Sequence, residues 1–127
     1  MILIDSDVLI YLLRGDQRAV SFMEQIVTVD TLAVSVVTLA EVTGGIRSAE
    51  RHRVARLFRE LRVEPITEIV AHRAGQLIRQ YRASHSGIDL ADYLIAATAE
   101  HNGAKLATLN VRHFPMFKGL KPAFRLD

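Results

Sequence analysis

The stretch Ile2-Leu3-Ile4-Asp5-Ser6-Asp7-Val8-Leu9-Ile10 decides the fold. Its first three residues are large and apolar and read as a short buried strand; a helical run from Val8 to Leu13 follows at once and is stopped by Arg14-Gly15. A strand passing directly into a helix opens an alternating α/β chain, and the same alternation continues downstream. Asp16 can cap a helix whose apolar positions are Ala19, Phe22, Met23 and Ile26, and Leu32 to Ser35 is a second strand. Thr38 or Ser35 caps the next helix, and Gly44-Gly45 is expected to bend it. From Ser48, the positions Val54, Leu57, Phe58 and Leu61 mark one helix face. Val63 to Ile66 is a short strand that Pro65 confines to a sheet edge. Thr67 caps a long helix through Tyr81, Asp89 to His101 forms an Ala-rich helix, Lys105 to Thr108 a strand, and Ala123 to Arg125 a candidate last strand. Strands alternating with helices imply a three-layer α/β/α fold with a central, mostly parallel sheet of four to five strands.

Composition narrows the class. A chain of 127 residues fits one domain, 1–127, with half its residues apolar and only 7 Gly and 3 Pro, which excludes disordered and fibrous proteins. Without cysteine there is neither a disulfide framework nor a thiolate zinc site. Its opening residues lack the basic region and long apolar segment of a signal peptide, so a cytoplasmic location is expected. No apolar run approaches the ~20 residues of a membrane span.

The chemistry-bearing residues follow from the topology. In an open parallel sheet the functional crevice lies beyond the carboxyl ends of the strands. Asp5 and Asn110 stand just past such ends, Glu41 lies early in the helix after the second strand, and Asp92 lies in the first turn of the helix before the fourth. Carboxylates gathered there repel one another unless a cation joins them, and oxygen donors without His or Cys suit Mg²⁺ or Mn²⁺. Each acid also has a plainer reading. Asp5 can cap the helix that follows, Glu41 can be an exposed helical glutamate, and Asp89 and Asp92 share a helix face, so that one caps and the other ligates.

Four segments carry a resemblance: Ile-Leu-Ile-Asp-Ser-Asp-Val-Leu-Ile at the start, Ser-Val-Val-Thr-Leu-Ala-Glu-Val in the middle, Asp-Tyr-Leu-Ile-Ala-Ala-Thr-Ala near the end, and Ala-Thr-Leu-Asn-Val-Arg-His-Phe after it. Together they resemble PIN-domain proteins, and among these the VapC toxins of bacterial toxin–antitoxin pairs. The resemblance implies a PIN-like fold and a Mg²⁺- or Mn²⁺-dependent endoribonuclease whose metal-binding acids are Asp5, Glu41 and Asp92. The family's fourth acidic position falls on Asn110, whose amide binds a cation more weakly; the resemblance leaves one or two metal ions open, the second being recruited by the substrate phosphate. Asp7, Asp89 and Thr108 are auxiliary candidates. The resemblance further implies an RNA substrate, a homodimer and a VapB-like antitoxin, for which apolar surface near Phe22 or Phe58 would suit, although core packing explains the same residues.

Six arginines between Arg47 and Arg62 form a basic stripe that is either the solvated face of a helix or a phosphate-binding surface; Arg47, Arg51 and Arg112 are the candidate RNA contacts. The five histidines show no metal-ligand spacing, and no catalytic role is assigned to them, although Arg112 and His113 lie near enough to the cleft to touch a phosphate. Two other functions compete. Asp5-Ser6-Asp7 after a strand superficially matches haloacid-dehalogenase-like phosphatases, with Asp5 as nucleophile, but Leu9 stands where that motif wants Thr or Val. A catalytically silent RNA-binding or interaction domain is the other.

Overall fold

The computed structural model describes residues 1–126. Four strands, β1 (Ile2–Ile4), β2 (Leu32–Ser35), β3 (Arg62–Glu64) and β4 (Lys105–Ala107), form one sheet in the order β3-β2-β1-β4, and all three pairings are parallel. Six helices connect them: α1 (Ser6–Leu13), α2 (Gln17–Ile26), α3 (Val36–Gly44), α4 (Arg51–Arg59), α5 (Glu68–Tyr81) and α6 (Leu90–His101).

Side chains alternate across the strands and split the core in two. Leu3, Ala33 and Leu106 point to one face and pack with Val70, Ala74 and Leu77 of α5 and with Ile95, Ala96 and Ala99 of α6. Ile2, Ile4, Leu32, Val34 and Ala107 point to the other, against Val8, Leu9, Val42 and Val54 of α1, α3 and α4. This is the three-layer arrangement expected. Both faces of β1 are covered because Leu3 and Ile4 are fully buried in opposite layers.

Local differences from expectation have physical causes. No fifth strand forms among the described residues at Ala123–Arg125; that segment makes one backbone bond, Ala123 N–H to the Thr108 carbonyl at 2.8 Å. Instead Phe124 packs its ring 6.2 Å from Tyr11 and 6.1 Å from Phe22, laying the segment over α1 and α2. Strand β3 ends at Glu64 because Pro65 has no N–H to offer, and it lies at the sheet edge as its proline requires. Ser35, not Thr38, caps α3, accepting from Val37 N–H at 3.1 Å, while Thr38 is fully buried. The helix does not bend at Gly44-Gly45 but stops there, with Gly45 as its C-cap. The segment from Ser48 begins as a single 3₁₀ turn, Ser48–Glu50, before α4. No helix among the described residues is long and apolar enough to cross a membrane.

Strand β1 is the point where the order reverses: the chain moves to β2 and β3 on one side and returns to β4 on the other. The crevice rule therefore selects the edge between the ends of β1 and β4.

Candidate active site

Asp5 leaves β1 at that edge and is 5% exposed. Its Oδ2 accepts from the Thr108 hydroxyl at 2.8 Å and its Oδ1 from Ser6 N–H at 2.8 Å, so the residue caps α1 and faces β4 at once. Register explains the meeting: Ile4 pairs with Ala107, and Asp5 N–H continues the ladder to the Ala107 carbonyl at 2.9 Å, which sets Asp5 against Thr108. Asp7 turns to the same place, its Oδ2 accepting from Leu109 N–H at 3.0 Å and lying 3.4 Å from the Thr108 hydroxyl. Thr108 thus steadies two carboxylates and accepts Asn110 N–H at 3.1 Å on the same oxygen.

The second group comes from α6. Asp89 is its N-cap, accepting Asp92 N–H at 2.9 Å, and Asp92 returns a longer 3.3 Å bond from Asp89 N–H. This reciprocal capping box divides the two acids as the spacing suggested: one terminates the helix and the other projects from its first turn. Asp92 Oδ2 lies 2.9 Å from His113 Nδ1, and the Asn110 amide lies 2.9 Å from the same nitrogen. One imidazole thereby joins α6 to the loop after β4. Glu41 projects from α3, exposed, with the nearby Ser6 side chain drawing its carboxyl down against burial.

Electrostatics show that these acids share one region. Burial pushes the Asp5 carboxyl up, opposed by the bonds from Thr108 and Ser6, and the charge of Asp89 pushes the same way as burial. Burial, then the charges of Asp5 and Asp89, raise Glu41. Asp7 is pushed up to about 6 by burial and by Asp5, and Asp92 to about 6 by burial and by Asp89, with His113 drawing it down. Asp5 therefore acts on Asp7 and Glu41, and Asp89 acts on Asp5, Glu41 and Asp92, each adding negative charge where another acid already stands. A shared cation relieves that.

No three Asp, Glu or His side chains among the described residues converge closely enough, as placed, to wrap one ion. The donor set nevertheless fits a hard divalent cation, since Mg²⁺ keeps several waters and takes only one or two protein carboxylates directly. Glu41 feels the charges of Asp5 and Asp89, Asp92 is linked to that group through Asp89, and Asn110 is exposed beside His113.

The arginines are more dispersed. Arg47 and Arg51 are exposed at the start of the α4 segment, and Arg112 is exposed beside Asn110. Arg47 borders the same cavity as Glu41, whereas Arg51 lines a separate groove between α3 and α4 with Leu39, Val54 and Phe58. Sequence reasoning passed over Ser6 and gave His113 no catalytic role. Ser6 is legible in hindsight as the residue between two acids, whereas His113 joins Asp92 only through the 3₁₀ turn Val111–His113, which sequence spacing does not reveal.

Residues 2–117 match the PIN domain. The chain belongs to the PIN-domain family. This PIN domain is 55% identical over 124 residues to Ribonuclease VapC10 of Mycobacterium tuberculosis, an overlap covering 98% of this chain and 93% of that protein. It is 39% identical over 125 residues to Ribonuclease VapC19 of the same organism, covering 98% of this chain and 100% of that one. In fold it is similar to a chain in a toxin–antitoxin complex from Klebsiella pneumoniae, with a TM-score of 0.82 across 99% of this chain and 100% of that chain, at 23% identity. With the family fixed, the phosphatase reading of Asp5-Ser6-Asp7 falls.

Proposed function

We propose that this PIN domain is an endoribonuclease, the toxin of a VapBC-type toxin–antitoxin pair, and that Mg²⁺ or Mn²⁺ held by Asp5, Glu41 and Asp92 serves its chemistry. The observation that supports the reading is the convergence of Asp5 and Asp7 on Thr108 at the β1–β4 edge, with Asp89 close enough to press its charge on Asp5, Glu41 and Asp92. Such strain is the signature of a carboxylate set whose charge a cation offsets. Two relatives named as ribonucleases, at 55% and 39% identity, support RNA hydrolysis as the reaction.

A divalent ion bound there supplies Lewis-acid activation of the phosphodiester and of the attacking water. The chain's own residues do the positioning. Thr108 fixes the Asp5 carboxylate and steadies Asp7, the α6 cap aims Asp92, and a protonated His113 Nδ1 donates to Asp92. Asn110 offers an amide in place of a fourth acid, which lowers the charge available to a second ion and favours one resident metal. Arg47, Arg51 and Arg112 provide cations for the RNA backbone, a sequence-independent attraction that salt weakens. The partners that accompany this reading are a VapB-like antitoxin, supported by the toxin–antitoxin complex that shares the fold, and a second copy of the chain.

The test is to induce the protein in cells and map new 5′-phosphate ends across all RNAs, beside Asp5→Ala. Cut sites present with the first and missing with the second support the assignment. Identical end maps leave a silent binding domain.

A further inference from the structure

We propose that the cavity of about 400 Å³ beside the acids is a subsite for one nucleotide of the RNA: the base rests on Ile10, Leu13, Val42 and Ile46, and Arg14 and Arg47 hold its phosphate. The inference deepens the ribonuclease reading and rests on it, because Glu41 forms part of the wall and its charge must be met by the ion before a phosphate can approach.

Position comes first. Glu41 belongs to both the cleft and the cavity, so a strand of RNA whose scissile phosphate lies at the acids can place a flanking nucleotide here without crossing solvent. The volume falls within the range that small ligands fill, roughly 300–1,000 Å³. The groove between α3 and α4, at about 370 Å³, is lined by no acid and lacks this continuity.

Chemistry comes second. Branched aliphatic side chains from α1 and α3 make a floor suited to the flat face of a base, and single-stranded RNA is recognised by bases splayed into such recesses. Arg14 and Arg47 are both exposed on the rim, Arg14 lying 6.0 Å from the Tyr11 ring and Arg47 only 3.5 Å from Glu50 in a weak surface pair. A phosphate displaces such a pair readily, since exposed ion pairs are worth little. Glu50 is partly shielded, and one of its oxygens accepts Arg47 N–H at 3.0 Å, leaving the other to accept from a base amino group.

The experiment measures cleavage of a fluorophore–quencher RNA carrying a site mapped for the wild type, together with the cut-site profile on total RNA, for Arg14→Ala, Arg47→Ala and Ile46→Trp. Both arginines are exposed, so their removal leaves the core intact; far-UV circular dichroism checks all three proteins. The expected result is a KM raised about 10-fold by each arginine substitution, the equivalent of one lost charge-assisted hydrogen bond. Ile46→Trp, which fills the recess, changes the nucleotide preferred at one position beside the cut. Unchanged KM and an unchanged profile in folded variants, with cleavage still lost in Asp5→Ala, overturn the subsite and leave the ribonuclease standing. Absence of any Asp5-dependent cleavage removes the ribonuclease and the subsite with it. Unchanged RNA kinetics with weakened binding of a VapB-type protein assign the recess to that partner and also overturn the proposal.

Discussion

Raising the pH from 5 to 8 without metal should weaken the fold, and Mg²⁺ should reverse the loss. Asp7 and Asp92 are pushed from the ordinary 3.8 up to about 6. For a carboxyl raised in the folded state, the native protein binds more protons than the unfolded chain between those two values. Stability is therefore full below the lower value and falls as pH climbs through the upper one. Each group represents about 3 kcal/mol over the whole interval, of which roughly half is lost above pH 5, or about 3 kcal/mol for the pair. Asp92 retains 15% of its side-chain exposure and Asp7 is also partly open, so solvent screening brings the expected loss to about 1.5 kcal/mol. Asp5 and Glu41, also raised, act in the same direction. The surface acids Asp16, Asp30 and Glu50 are lowered, so their contribution fades only in more acidic solution, outside this window. Urea unfolding followed by circular dichroism in EDTA measures the change. Mg²⁺ at about ten times its Kd should return about 1.4 kcal/mol at pH 8 and much less at pH 5, where protons compete for the ligands. A stability that is flat or rising from pH 5 to 8, or an equal Mg²⁺ gain at both, would refute the idea that these acids strain against one another for a cation.

Other outcomes follow from the same geometry. Asp5→Ala and Asp92→Asn should each lower kcat/KM by ~100-fold or more, at least the effect of removing an outer partner of a metal ligand, with circular dichroism unchanged. Thr108→Val removes the donor to Asp5 and the acceptor of Asn110 N–H; it should cost about 1–3 kcal/mol in urea unfolding and ~10-fold or more in activity, while Thr108→Ser keeps both. His113→Ala should weaken Mn²⁺ affinity, read by calorimetry, by roughly 10-fold, since Asp92 loses the group that orients it; unchanged affinity would assign His113 a surface role. Arg51→Ala should reduce the slope of log K against log salt for single-stranded RNA by about 0.7, and an unaltered slope removes it from the interface.

Much of the fold was legible because its signals are local. The caps Asp5, Asp16, Thr67 and Asp89 and the apolar runs of β1 and β2 appear where the residues place them. The segment at Ala123–Arg125 misled because a short apolar run reads alike whether it pairs in a sheet or packs aromatic rings on helices, as Phe124 does. In the candidate site, the acids and Thr108 could be named one by one, but which side chains meet could not. That Thr108 meets Asp5 depends on strand register, and that His113 meets Asp92 depends on a turn, neither of which leaves a trace in composition or spacing.

The Asp5–Thr108 bond spans 103 residues, joining the first strand to the last. Bringing such distant segments together is slow, because the chain between them must surrender its freedom before the contact repays it. On the ribosome, Asp5 has no Thr108 to meet until 103 further positions have been added. The edge that holds Asp5 is therefore assembled only after β4 has emerged.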